Sequence, residues 1–266
     1  MTSTLDKLHA ILRRDLLTAI RYRSGFVLSL VGGFTELAAF YFLSRAIGPG
    51  FRPNGVEYFP FLLVGTGLST FFIMSAQSFL STVQEAQQTG TLEVLLTTST
   101  APAELIILSS ISAFAGNLVN LLVYLFAGVA VFRASTQANF LSCIAVMILA
   151  LAIALALGVA AATLQVAFQK GSALLWLLGS GLWFLSGTMF PIQSLPRPLE
   201  LVARALPLTY AIDGLRRALL DGQSVVAIAP TLAVLAGFGI VLLPLALAAL
   251  SLSVRRARQD GTLSFY

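Results

Sequence analysis

Glu36 falls near the middle of an apolar stretch that runs from about residue 25 to residue 47. A carboxylate at that depth is expensive to leave against hydrocarbon, so it must face protein, water or a ligand, or hold a proton. Two roles follow, a substrate-path or proton-linked group and a structural hydrogen bond to a neighbouring helix, and the sequence leaves both open. On a later apolar stretch Asn117, Asn120 and Tyr124 recur at steps of three and four, which puts three polar side chains on one helical face. Such a stripe must point inward, where hydrogen bonding between helices is its first use and contact with substrate its second. These four residues form the candidate substrate path.

Other chemistry is absent from the sequence. A phosphate-binding loop needs a glycine-rich turn ending in Gly-Lys-Ser or Gly-Lys-Thr, but the two lysines, Lys7 and Lys170, follow Asp6 and Gln169. The single histidine, His9, excludes a paired-histidine zinc site, and no Gly-x-Ser-x-Gly elbow occurs. No catalytic residue and no metal ligand is therefore assigned. Cys143, the one cysteine, lies inside an apolar run and reads as packing.

The elements that carry these residues are membrane helices. Of 266 residues 58% are hydrophobic and only 10% charged, too few charges to coat a water-soluble core of that size. The net charge of +5 sits mostly at segment ends, which reads as topology signal and not as a nucleic-acid surface. Six apolar stretches are long enough to span, at about 25–47, 58–82, 105–132, 140–168, 172–190 and 225–252. They are continuous Leu, Ala, Val, Ile and Phe runs without strand alternation, so the expected class is an all-α integral membrane protein. Lys7, Arg13, Arg14, Arg21 and Arg23 before the first stretch, and Arg255, Arg256 and Arg258 after the last, place both termini in the cytoplasm.

Before the first stretch, Leu5, Leu8, Leu12 and Leu16 recur at helical spacing with Arg13 and Arg14 on other faces. This pattern predicts an amphipathic helix lying on the membrane rather than a cleaved signal. In the fourth stretch Ala150, Ala154, Gly158 and Ala162 repeat every fourth residue and make a groove for close helix packing.

Two connecting segments stand out. Residues 84–101 lack any basic residue and combine Glu85 and Glu93 with Leu92, Leu95 and Leu96, with Gly90 as a break. A helix both apolar and acidic at a membrane edge is a docking surface for another protein. Residues 191–222 predict a helical hairpin at the outer face. Its first helix carries Leu199, Val202 and Leu206, its second follows Pro207 with Ile212, Leu215 and Leu219, and Gly222 can end it. Both apolar stripes are expected to bury against the spans. Asp213 is spaced to pair with Arg216 and Arg217 on an edge that stays wet.

These features resemble the permease subunits of ABC-2 type exporters, closest in flavour to the daunorubicin-type drug and lipid exporters, over nearly the whole chain. The matching residues are G-T-L-E-x-L-L at Gly90 to Leu96, P-A-E-L at Pro102 to Leu105, L-S-G-x-x-F-P at Leu185 to Pro191 and L-P-L-T-Y-A at Leu206 to Ala211. The chain departs from the family pattern at Gln84, Gln87 and Gln88, where basic residues are common, at Ser99 for a proline and at Ser109 or Ser110 for a lysine.

The resemblance implies a multi-pass transport subunit, not an enzyme, in a bacterial or archaeal plasma or inner membrane. It would pair with a second permease copy or homologous permease, and with two ATP-binding subunits that hold ATP and Mg. Residues 1–24 would be an interface helix, 25–252 the six-helix permease domain and 253–266 a cytoplasmic tail. Glu85, Gly90, Thr91, Leu92, Glu93, Leu95 and Leu96 would form the coupling helix. Phe190, Pro191, Pro207, Tyr210, Asp213, Arg216 and Arg217 would form an outer gate. A polysaccharide or teichoic-acid exporter, and an ion-coupled carrier using Glu36, are the alternatives, and the transported substrate stays open.

Overall fold

The computed structural model describes residues 23–90, 102–168 and 171–260. Among them lie eight α-helices and no strand: α1 (Arg23–Ile47), α2 (Tyr58–Gln88), α3 (Pro102–Ala130), α4 (Phe140–Phe168), α5 (Gly171–Leu185), α6 (Arg197–Arg204), α7 (Pro207–Leu219) and α8 (Ala229–Asp260). The interface helix expected over residues 1–24 lies, up to residue 22, outside the described residues.

Helix α2 is the hub. Its sequence is apolar on every side and interrupted by small residues, the pattern of a helix surrounded by others. Phe61, Leu62, Leu63, Leu68, Phe79 and Leu80 are fully buried along it. It packs against α1, α3, α4, α5 and α7. With 31 residues it runs about 46 Å, well past the hydrocarbon thickness of a bilayer.

The small-residue stripe on α4 does what its spacing predicts. Ala150, Ala154, Gly158 and Ala162 are all buried, and Phe79 of α2 fills the space over Gly158 so closely that a Cβ there would overlap its ring. The opposite faces of the outer helices leave Phe126, Phe140, Ile240 and Leu245 exposed. Such a continuous apolar girdle around a polar-poor bundle is a lipid-facing surface.

Among the described residues four helices, Tyr58–Gln88, Ile106–Ala130, Phe140–Phe168 and Ala229–Ala257, are long and apolar enough to cross a membrane. Helix α1 has a span's length but carries Glu36 and Arg45. The fifth expected stretch, 172–190, becomes a shorter element: α5 has 15 residues, about 22 Å, and stops at Leu185. Gly187 adopts φ +79, a conformation that favours glycine, and reverses the chain there. Ser186 and Thr188 beside it are buried, and the Thr188 hydroxyl lies 2.7 Å from that of Ser69, three turns into α2. The turn after α5 thus lies inside the bundle rather than at its end.

Gly158→Val should lower the thermal-unfolding midpoint of the detergent-solubilised chain by the equivalent of about 1–3 kcal/mol, since Phe79 must move. Gly32→Ala on α1, where a Cβ meets nothing within 4 Å, should leave the midpoint unchanged or raise it by the equivalent of up to about 1 kcal/mol. Equal midpoints for the two variants would contradict the packing described.

Candidate functional site

The four residues of the candidate substrate path come together. Glu36 from α1, Asn117, Asn120 and Tyr124 from α3, and Gly67, Thr70 and Phe71 from α2 line one cavity of about 400 Å³. Helix α3 approaches α2 closely on this side because Gly67 and Gly128 leave room for the Tyr124 ring and the Leu63 side chain. Of the two uses anticipated for the polar stripe, hydrogen bonding between helices is present. The Asn117 amide donates to Ser78 Oγ at 2.8 Å, and the Tyr124 hydroxyl lies 2.9 Å from Thr66 Oγ1. Thr66 gives its own hydrogen to the Leu62 carbonyl at 2.7 Å, so the phenol is the donor in the Tyr124–Thr66 bond. Asn120 Oδ1, by contrast, is buried with no hydrogen-bond partner.

At one end of this cavity begins a wider cleft of about 910 Å³, lined by Tyr41, Phe42, Phe51 and Phe132 with Arg45, Arg52, Arg133 and Glu57. Phe34 lines both.

Residues 191–222 contain two helices, α6 and α7, and the burial expected of both apolar stripes holds for α7 but not for α6. Leu199 and Val202 of α6 are exposed, whereas Leu208, Ile212 and Leu215 of α7 are buried against α4, α8 and α2. Helix α7 is a core element. Its C-terminal carbonyls accept bonds from the α3–α4 connection, Asn139 N–H to Ala218 O at 2.9 Å and Gln137 N–H to Leu219 O at 3.2 Å.

Arg216 corrects the expectation of a wet charged edge. Only Arg217 pairs with Asp213, at 2.9 Å with both side chains partly exposed. Arg216 is turned inward and buried. Its Nε and Nη2 donate to the Phe61 carbonyl at 3.2 and 2.8 Å, Nη1 to the Gly187 carbonyl at 2.9 Å, and Nη2 also to the Thr188 carbonyl at 3.0 Å. The guanidinium carbon lies 3.4 Å from the centre of the Phe61 ring. Burial pulls its pKa down to about 9, with the Asp213 carboxylate opposing, so the group stays charged at neutral pH. A planar cation with several divergent donors can satisfy three carbonyls from two segments at once; a lysine ammonium cannot reproduce that fan. Gly65 makes the approach possible, because a Cβ there would overlap both the Thr188 carbonyl and the guanidinium.

The remaining hairpin residues cluster nearby. Pro191, Tyr210, Asp213, Arg216 and Arg217 line a cleft of about 220 Å³, Pro207 begins α7, Tyr210 rests 6.0 Å from Phe238, and Phe190 stacks edge-on against Phe184 at 5.2 Å.

At the opposite end of the bundle α2 runs to Gln88 and is ended by Thr89 and by Gly90 at φ +68. Glu85 therefore belongs to the last turn of α2, and the break expected at Gly90 follows directly. Thr91, Leu92, Glu93, Leu95 and Leu96 lie outside the described residues. Just below the break sits a polar relay that sequence reading missed. Gln165 of α4 donates to Gln87 Oε1 at 2.9 Å, and the backbone N–H of Gly171, at the start of α5, donates to Gln165 Oε1 at 3.0 Å. Both glutamines are buried. The available signal was Gln165 itself, one amide near the end of an otherwise apolar stretch. For Arg216 it was the arithmetic that Asp213 can fully pair with only one of two arginines.

Residues 6–220 match the family model of the ABC-2 type transporter. The chain belongs to that family. No curated protein matches it. The family role is that of a membrane permease component that normally works with an ATP-binding subunit. In this ABC-2 chain the segments LSGTMFP and LPLTYA meet through Arg216, five residues beyond the second, which bonds the carbonyls of Gly187 and Thr188 in the first.

Arg216→Leu should destabilise the protein by about 3 kcal/mol or more, as it strips buried carbonyls of a charged donor, while Arg217→Ala should change stability by less than about 1 kcal/mol. Thermal unfolding of the two variants in the same detergent checks the contrast, and equal losses would refute the buried assignment of Arg216.

Proposed function

We propose that the chain is the permease of an ATP-driven exporter that moves a drug-like, lipid or other amphipathic molecule out of the cytoplasm or inner leaflet. Six passes through the membrane put both termini in the cytoplasm, with α1 as the first and α5, completed by the Gly187 turn, as the fifth. The α6–α7 end is then the outer end. Helix α6 lies in the outer interface with Leu199 and Val202 toward lipid, which accounts for their exposure in the chain alone. The cavity lined by Glu36, Asn117, Asn120 and Tyr124 is the inner part of the path, and Phe190, Pro191 and Tyr210 guard its outer side.

The observation that carries the reading is the relay from Gln87 through Gln165 to Gly171. The segment after Gly90, taken as the coupling helix, leaves α2 beside buried hydrogen bonds that join α2, α4 and α5. Displacement of that segment by an ATP-binding subunit reaches three helices at once. ATP and Mg are held by that partner, two copies of which serve two permease copies. A polysaccharide or teichoic-acid exporter is the second reading, favoured by the 910 Å³ cleft with its aromatic walls.

Leu95→Asp and Glu93→Lys should weaken docking of the ATP-binding subunit by about 1–3 kcal/mol, roughly 5- to 150-fold in affinity, without loss of permease from the membrane. Co-purification of the partner and substrate-stimulated ATP turnover measure this. Full retention of both by both variants would remove the 91–96 segment from the transmission.

A further inference from the structure

The cleft of about 910 Å³ beside α1 carries its charge at one end and apolar walls along the rest. Phe34, Ala38, Tyr41 and Arg45 line it from α1 at steps of three and four, so it follows one face of that helix. From Phe34 to Arg45 is about 16 Å along the axis, close to half of a hydrocarbon core of roughly 30 Å. Phe34 lies beside Glu36, near the middle of its apolar stretch, and Arg45 is in the last turn of α1. The cleft therefore covers one leaflet, from the bilayer centre to the level of the headgroups. Phe34 and Phe42 in its wall are exposed, within reach of the surrounding lipid.

At the headgroup level three segments each bring one arginine: Arg45 from α1, Arg52 from the α1–α2 connection and Arg133 from the α3–α4 connection. Among the described residues no carboxylate pairs with any of them, the ion pairs there being Arg204–Glu200 and Arg217–Asp213. Glu57, the one carboxylate in the wall, accepts from Ser135 Oγ at 3.2 Å, and Arg45 gives one donor to the Tyr41 hydroxyl at 2.8 Å. Three guanidiniums against one carboxylate leave the end of the cleft positive. Arg133 adopts φ +53 in the turn that closes α3, a left-handed conformation that glycine takes at lower cost. An arginine there puts a third cation in the wall at some expense to the backbone. A second copy of the chain is a poor cover for this face, because a two-fold contact through it sets arginines against arginines. A zwitterionic lipid fills the groove but brings no net counter-charge. An anionic phospholipid does both, its phosphate accepting from guanidinium forks and its chain lying on the aromatic wall.

We propose that this cleft is a site for a membrane phospholipid of net negative charge, its phosphate held by Arg45, Arg52 and Arg133 and one acyl chain laid along Phe34, Ala38 and Phe42. The lipid is a resident partner of the fold and not cargo. The proposal goes beyond the transport reading and takes from it only that the chain lies in a bilayer. Its failure leaves the permease role standing, and failure of partner docking leaves the site standing.

The reporter is Phe42→Trp in the full chain carrying Trp176→Phe and Trp183→Phe, reconstituted in phosphatidylcholine vesicles. Brominated phosphatidylglycerol or brominated phosphatidylcholine with the same chains replaces the lipid stepwise, and quenching of the reporter gives the relative affinity at the cleft. Phosphatidylglycerol should be preferred at least fivefold. Arg133→Gly should lower that preference several-fold, a loss that unfolding does not explain, since glycine suits the left-handed turn better than arginine. Arg133→Gly combined with Arg52→Gln should abolish it, whereas Arg197→Gln on α6, an exposed arginine outside the cleft, should leave it intact. Glycerol 3-phosphate added in solution should not compete, because it lacks the chain. Equal affinity for the two lipids, a preference that survives the double variant, or an equal loss with Arg197→Gln would each overturn the assignment. Competition by glycerol 3-phosphate would assign the cleft to a soluble phosphate instead, and absence of quenching by either lipid would assign the face to a second copy of the chain.

Discussion

One buried charge organises the α6–α7 half of the molecule. Arg216 enters the bundle with no carboxylate bonded to it, and taking a guanidinium out of water costs several kcal/mol unless its donors are filled. Carbonyls of Phe61, Gly187 and Thr188 fill them. The three acceptors come from the start of α2 and from the turn after α5, so satisfying one side chain fixes the relation of α2, α5 and α7. Gly65, Gly187 and Ser69 are constrained in turn: the first must lack a Cβ, the second must reach φ +79, and the third bonds the turn from below.

Helices α2, α4, α7 and α8 pack tightly around the apolar core, with Leu208, Ile212, Val146 and Leu235 among its buried members. Helix α1 touches chiefly α2 and α3 and shares two open clefts with them. Elements with few buried contacts open at low cost, whereas a densely packed unit moves as a body. Helix α1 is therefore the least tied to the α2-centred body, whereas α3 is held to α2 by Phe114 and Leu121 in the apolar core and by the Tyr124–Thr66 and Asn117–Ser78 hydrogen bonds. The Gln87–Gln165–Gly171 relay lies at the far end of that body, where the segment after Gly90 leaves it.

Periodicity in the sequence was informative where one side chain's role depends on its own helix. The α4 stripe of Ala150, Ala154, Gly158 and Ala162 is a spacing rule, and it packs as the rule requires. Asn117, Asn120 and Tyr124 share a face for the same reason, and the argument that Glu36 must avoid lipid led to the cavity where all four meet. Arg216 was misread because its partners are backbone carbonyls up to 155 residues away in sequence, which no local pattern encodes. An exposed ion pair with Asp213 was the local solution, and Arg217 took it. Helix α6 was misread for a related reason: an amphipathic stripe says that a face needs apolar contact, but not whether protein or lipid supplies it. The short α5 could not be told from a full span, since Leu185 to Phe190 stays apolar enough to continue and only the Ser-Gly-Thr sequence marks the turn.

The central claim is that Arg216 makes the start of α2, the turn at residues 186–190 and α7 one cooperative unit. Hydrogen–deuterium exchange of the full chain in nanodiscs, wild type against Arg216→Lys, reads this directly. Lysine keeps the charge but cannot span the three carbonyls, so amides of α7 and of the 186–190 turn, together with those at the start of α2, should lose protection together while α4 and α8 hold theirs. Faster exchange confined to the few residues around position 216, or no change at all, would contradict the claim.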